Sequence, residues 1–105
     1  MKTVIKTIDI QGKQWFDKVN GNSYFSAQVT INFALDGEKT YYVPFQYGYG
    51  TSFEYESLRQ LQMEGVLPEY LPCNPSQFLR ESGIILRASK QENCLQRVVK
   101  AWGSN

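Results

Sequence analysis

The chain has 105 residues, no histidine, and 11 lysines and arginines against 10 acidic residues, for a formal charge of +1. That length predicts a single domain over residues 1–105 with one core, and 42% apolar with 14% aromatic residues excludes a disordered chain. Without imidazole there is no Ser-His or Cys-His nucleophile pair and no histidine metal ligand, so no catalytic set, metal site or cofactor is predicted and the chain is read as a non-enzyme.

The first strand is expected over residues 3–10, "TVIKTIDI", β-branched and broadly alternating, ending at Gly12. Nothing in "MKTVIKTIDI" has the apolar run of an export signal, and no stretch is apolar enough to span a bilayer. A cytoplasmic protein is expected, with Cys73 and Cys94 reduced; a bridge between the two thiols is the alternative.

Asn20-Gly21 is a hairpin signal, because both residues tolerate positive φ. It leads into "YFSAQVTINFAL", where Phe25, Ala27, Val29, Ile31 and Phe33 point one way and Tyr24, Ser26, Gln28, Thr30 and Asn32 the other. Asp36-Gly37 then turns the chain into "YYVPFQYGYG". A two-residue turn would set Tyr41, Val43, Phe45 and Tyr47 beside the polar row of the preceding strand. A three-residue loop, Leu35 to Gly37, sets them beside the apolar row, pairing Ile31 with Tyr41, Val29 with Val43 and Ala27 with Phe45. Burying a large side chain contributes about 1.5 to 3 kcal/mol, so the looped register is expected.

A helix follows, opened by a Thr51–Glu54 capping box, striped by Tyr55, Leu58 and Leu61, and ended at Gly65. A short second helix is capped by Asn74, with Pro75 at its first position and Gly83 at its end. The tail "GIILRASKQENCLQRVVKAWGSN" reads as a hairpin turning near Lys90 to Asn93, since Ile84-Ile85 and Val98-Val99 favour strands. The fold class expected is α+β: an antiparallel sheet of about five strands, one main helix on its apolar face and a short second helix.

The opposite sheet face would be uncharged and rich in hydrogen-bonding groups. Tyr24, Gln28, Thr30, Asn32, Tyr42 and Gln46 are therefore the candidate residues for binding another protein, since rigid tyrosines among adaptable polar groups suit such surfaces. Pro44 places its strand at an edge, where self-association into a homodimer is open. The alternative is a nucleic-acid-binding module in which Arg87, Lys90, Arg97 and Lys100 line the C-terminal hairpin and track phosphates. No membrane partner is expected.

The run "WFDKVNGNSYFSAQVTI", followed by "PFQYGYG" and a helix, resembles a pattern of small uncharacterised bacteriophage and prophage proteins over residues 15 to 64. The resemblance implies no activity and assigns no residues. It implies a phage accessory role, such as inhibiting a host defence system of the CRISPR kind by direct binding.

Overall fold

The structure is a computed structural model, and it describes residues 4–104. Among the described residues it is α+β, a mixed sheet of four strands with three helices. Thr3, the expected start of the first strand, lies outside the described residues.

Strand β1 (Thr7–Asp17) runs straight through Gly12, because the glycine makes room for a ring rather than a turn. A Cβ on Gly12 would sit 2.7 Å from Cδ2 of Phe53 on the helix above. Asp17 closes the strand: its carboxylate accepts hydrogen bonds from the Val19 amide at 3.0 Å, the Asn20 amide at 3.3 Å and the Asn20 side chain at 2.8 Å. Gly21, at φ +71°, then donates to the Asp17 carbonyl at 2.7 Å. The hairpin signal at Asn20-Gly21 thus produces a loop over residues 18–21, wider than a two-residue turn.

Strand β2 (Asn22–Ile31) pairs antiparallel with β1, matching Ile31 with Ile8, Val29 with Ile10 and Ala27 with Gly12. Side chains directly opposite share a face, so these residues with Phe25 form one apolar surface. Strand β3 (Lys39–Tyr47) pairs with β2 at Val29–Tyr41 and Ala27–Val43. The expected parity holds for Tyr41 and Val43, but the pairing is displaced by two residues. The loop is longer than Leu35 to Gly37, because Asn32 at φ +52° and Ala34 at φ +60° leave the strand early. Phe33, expected in the core, is consequently 58% exposed.

Helix α1 (Ser52–Met63) lays Phe53, Leu58 and Leu61 on the apolar face, with Phe53 rather than Tyr55 completing the stripe. The Thr51 capping box does not form; instead the Ser52 hydroxyl donates to the Tyr49 carbonyl at 2.7 Å. Helix α2 (Pro75–Glu81) is capped as expected, the Asn74 side chain accepting from the Gln77 amide at 2.8 Å, and it seats Leu79 in the same core.

The tail departs from the expected hairpin. Strand β4 (Ile85–Gln91) lies parallel to β1, giving the order β3-β2-β1-β4, and the next segment is helix α3 (Gln96–Trp102). Val99 and Trp102, three residues apart on one helical face, dock on the sheet, and that packing outweighs the strand preference of Val98-Val99. α3 crosses the face of the sheet opposite α1. The Ser26 hydroxyl donates to the Val99 carbonyl, the Gln28 side chain donates to the Trp102 carbonyl at 3.2 Å, and the Trp102 indole donates to the Gln11 carbonyl at 2.8 Å. The five-stranded antiparallel sheet is thus corrected to four strands in three layers, α1 and α2 above and α3 below.

Candidate functional site

The sheet face that carries α3 is the expected binding face, and the helix divides it. Its central portion, at Ser26 and Gln28, is covered. Asn32 is 1% exposed and faces inward: its Oδ1 accepts from the Lys6 amide at 2.7 Å, and its Nδ2 donates to the Val4 carbonyl at 2.9 Å. It is a clamp for the start of β1, not a contact residue. Thr30 is tied to Thr40 through their hydroxyls at 2.9 Å, whereas Gln46, expected on this face, pairs with Phe25 and so lies on the α1 side of the sheet, its side chain donating to the Pro44 carbonyl at 3.0 Å. Tyr42 is half-buried and pairs with Gln28 across the strands.

What stays open lies beyond α3, towards the hairpin end of the sheet. Trp15, Tyr24 and Tyr47 fall in line across β1, β2 and β3, because Trp15 pairs with Tyr24 and Tyr24 with Tyr47. Phe45 joins them through a β-bulge: Ala27 faces Val43, but Phe25 faces Gln46, so β3 carries one extra residue in between. The bulge turns Phe45 away from the core, where simple alternation puts it, and onto this face.

The rings make a graded ladder. Tyr24 and Phe45 stack with centroids 5.2 Å apart and planes 5° from parallel. Trp15 leans on both, at 5.5 Å from Tyr24 and 6.2 Å from Phe45. Tyr47 meets Tyr24 edge-on at 5.9 Å, and Tyr49 meets Tyr47 edge-on at 6.5 Å. Trp15, Tyr24 and Phe45 are half-buried, whereas Tyr47 and Tyr49 are 60% and 67% exposed. Edge-to-face and offset contacts of this kind hold rings rigid while leaving their outer faces free.

Of the partner-binding residues expected from sequence, only Tyr24 belongs to this ladder. Trp15, Phe45, Tyr47 and Tyr49 were not marked by alternation, which sends Phe45 and Tyr47 inward; only the bulge reverses them. Pro44, a residue that cannot donate to the ladder of backbone bonds, is the one local signal for it.

The four basic residues of the alternative site do not form a strip. Arg87 grips Asp9 in two contacts at 2.7 and 2.9 Å, on the α3 side of the sheet. Lys90 is on the α1 side, its ammonium donating to Gln14 at 3.1 Å and to the Gly50 carbonyl at 3.0 Å, with the Glu92 carboxylate at 3.4 Å. It fastens the β3–α1 connection to β4. Arg97 and Lys100 are exposed on α3, and Lys100 lies 5.3 Å from the centre of the Phe45 ring, beside the aromatic ladder.

A second concavity, of about 590 Å³, opens on the α1 side between Ile5, Ile31, Lys39, Tyr41, Leu67 and Pro68. No carboxylates converge in it, and among the described residues no group of histidine, cysteine or acidic side chains is arranged to hold a metal ion. No helix among them is long and apolar enough to cross a membrane. No protein family, curated protein or solved structure matches the chain.

Proposed function

We propose that this chain is a non-enzymatic binding protein that engages another protein through the Trp15–Tyr24–Phe45–Tyr47–Tyr49 ladder. The observation that carries the reading is the gradient of exposure along these five rings, from a half-buried stack to two tyrosines mostly in water. A rigid ring costs little conformational entropy when it is covered, so Tyr and Trp dominate the energetic centres of protein interfaces. The resemblance of residues 15 to 64 to phage proteins supplies the partner class: a host defence complex of the CRISPR kind, inhibited by occlusion in the host cytoplasm.

A second reading is favoured by one observation, the placement of the Lys100 cation on Phe45 with Arg97 one turn earlier on α3. Rings that stack bases beside cations that meet phosphates are the elements of single-stranded nucleic-acid binding. Capture from host lysate separates the two. The protein reading expects a nuclease-resistant defence complex retained by the wild type and by Arg97→Glu/Lys100→Glu, and lost from Tyr47→Ala/Tyr49→Ala. Capture that nuclease abolishes, or that survives loss of both tyrosines, overturns it.

A further inference from the structure

Strand β3 ends the sheet, and the phase of the backbone hydrogen bonds says which of its groups are free. The Asn32 amide donates to the Thr7 carbonyl at 2.9 Å, so even-numbered residues of β2 point their main-chain groups at β1. Odd-numbered ones point at β3, as the bond from the Gly48 amide to the Ser23 carbonyl, at 3.1 Å, confirms. In the ladder that follows, Lys39, Tyr41 and Val43 turn their N–H and C=O inward to Ile31, Val29 and Ala27. Thr40 and Tyr42 therefore turn theirs outward, away from the sheet.

Both flanks of this short stretch are closed. Pro44 is the next outward-facing residue; it has no N–H, and its carbonyl is occupied by the Gln46 side chain at 3.0 Å. On the other flank the Glu38 amide is bonded to the Leu35 carbonyl at 3.3 Å. What remains within β3 ahead of the bulge is a set of four main-chain groups, the N–H and C=O of Thr40 and of Tyr42.

We propose that a second copy of this chain docks edge-to-edge on Thr40–Tyr42, its β3 antiparallel to the first about a two-fold axis at Tyr41. In that register Thr40 of each copy faces Tyr42 of the other, and each pair exchanges two bonds. All four of these groups in each copy are satisfied. Glu38 of one copy lies opposite Pro44 of the other; a slip one way sets Pro44, which has no N–H, against Thr40, and a slip the other way sets Tyr42 against Glu38, whose amide is already bonded.

Charge permits the same arrangement, because Lys39 is the sole charged residue of β3. The two lysines fall at opposite ends of the paired stretch, roughly 14 Å apart along the strand. The Tyr41 residues form the central, non-hydrogen-bonded pair, whose Cα atoms in such ladders are about 4.5 Å apart. Each half-buried Tyr41 then lies at the mouth of the other copy's concavity, walled by Leu67 and Pro68. The occupant is self-complementary, which is what an isologous two-fold contact requires.

The test combines mass with hydrogen exchange. Sedimentation equilibrium from micromolar to millimolar protein is expected to show a rise from 12.1 kDa towards twice that value. Over the same range the Thr40 and Tyr42 amides should slow by more than tenfold, while those of Tyr41 and Val43 are protected throughout. In a Cys73→Ser/Cys94→Ser background, Tyr41→Cys should form an intermolecular disulfide on mild oxidation and Ser104→Cys should not, because only the first pair meets the geometry a disulfide needs. Tyr42→Pro, which removes an outward N–H and no bond to β2, should weaken the dimer at least tenfold with the fold intact by circular dichroism. A constant mass of 12.1 kDa at millimolar concentration overturns the proposal whatever the amides do. So does a dimer that leaves Thr40 and Tyr42 exchanging freely, one that Tyr42→Pro leaves unchanged, or one in which Tyr41→Cys fails to cross-link.

Discussion

Tyr24 and Phe45 stack on the face of the sheet opposite Phe25, although Phe45 and Val43 are two residues apart on one strand and alternation would give them the same side. The stack is the fixed base of the ladder and Tyr47 its free end, so the two parts should separate under mutation. Tyr24→Ala, Phe45→Ala and the double variant, unfolded in urea, should give a coupling of about 0.5 to 1.5 kcal/mol. Tyr47→Ala should change stability by less than about 0.5 kcal/mol while abolishing partner capture. A large stability loss from Tyr47→Ala would make that ring a structural member.

Gly103 carries the other half of this face. A Cβ there would stand 2.5 Å from the Val43 carbonyl oxygen and 2.7 Å from Cβ of Ser26, and backbone on one side leaves no room to yield. Gly103→Ala should therefore lift the end of α3 from the sheet and break the bonds that Trp102 makes to Gln11 and Gln28. The expected readout is a red shift of tryptophan fluorescence and faster exchange of the Val99 and Gly103 amides, with protection of β1 and β2 largely kept. An unchanged spectrum would mean that the close approach relaxes at no cost.

Much of this layout is legible from residue type alone. The alternation of Phe25, Ala27, Val29 and Ile31 marks the core face because nothing interrupts the period, and Asn74-Pro75 marks the start of α2 because cap and first-turn chemistry are local. Illegible are the places where a tertiary partner chooses between local options. Leu95 to Ala101 alternates acceptably as a strand, and only docking of Val99 over Ser26 and of Trp102 over Gln11 selects the helix. Gly12 looks like the end of a strand until the Phe53 ring is placed above it. The bulge before Gln46 shifts the parity of every ring after Val43, and with it three of the five ladder residues, Phe45, Tyr47 and Tyr49, escape detection, while Trp15 lies beyond the strand expected over residues 3–10.

Asn32 joins three segments with one side chain: its own left-handed turn at φ +52°, the Lys6 amide and the Val4 carbonyl. Asn32→Ala strands both main-chain groups in a partly buried position, and each unsatisfied group there costs about 1 to 3 kcal/mol. It also places a Cβ-only residue in a conformation that asparagine tolerates better. A loss of about 2 to 4 kcal/mol is expected in chemical denaturation, with Asn32→Asp costing less because it keeps an acceptor for Lys6. Equal losses for the two variants would show that the turn, not the clamp, sets the requirement.

Acid should loosen the β1–β2 hairpin before the rest of the fold. The Asn20 side-chain amide, first among the causes, holds the Asp17 carboxyl below its ordinary value of 3.8; desolvation, next in size, opposes it, and the Asn20 and Val19 backbone amides lower it further. A carboxyl whose folded pKa is depressed binds protons more readily when unfolded. Its stabilisation is therefore fully present above the unfolded value and is lost as pH falls through the folded one. The window lies below about pH 4. Amide exchange at Val19, Asn20 and Gly21, compared at pH 5 and pH 3 after correction for the intrinsic rate, should rise at the lower pH, with the Phe25 and Val29 amides unaffected. Asp17→Ala should show the fast exchange at both pH values and no step between them. If the wild-type loop shows the same protection at pH 3 as at pH 5, the Asp17 carboxylate is not what holds the turn.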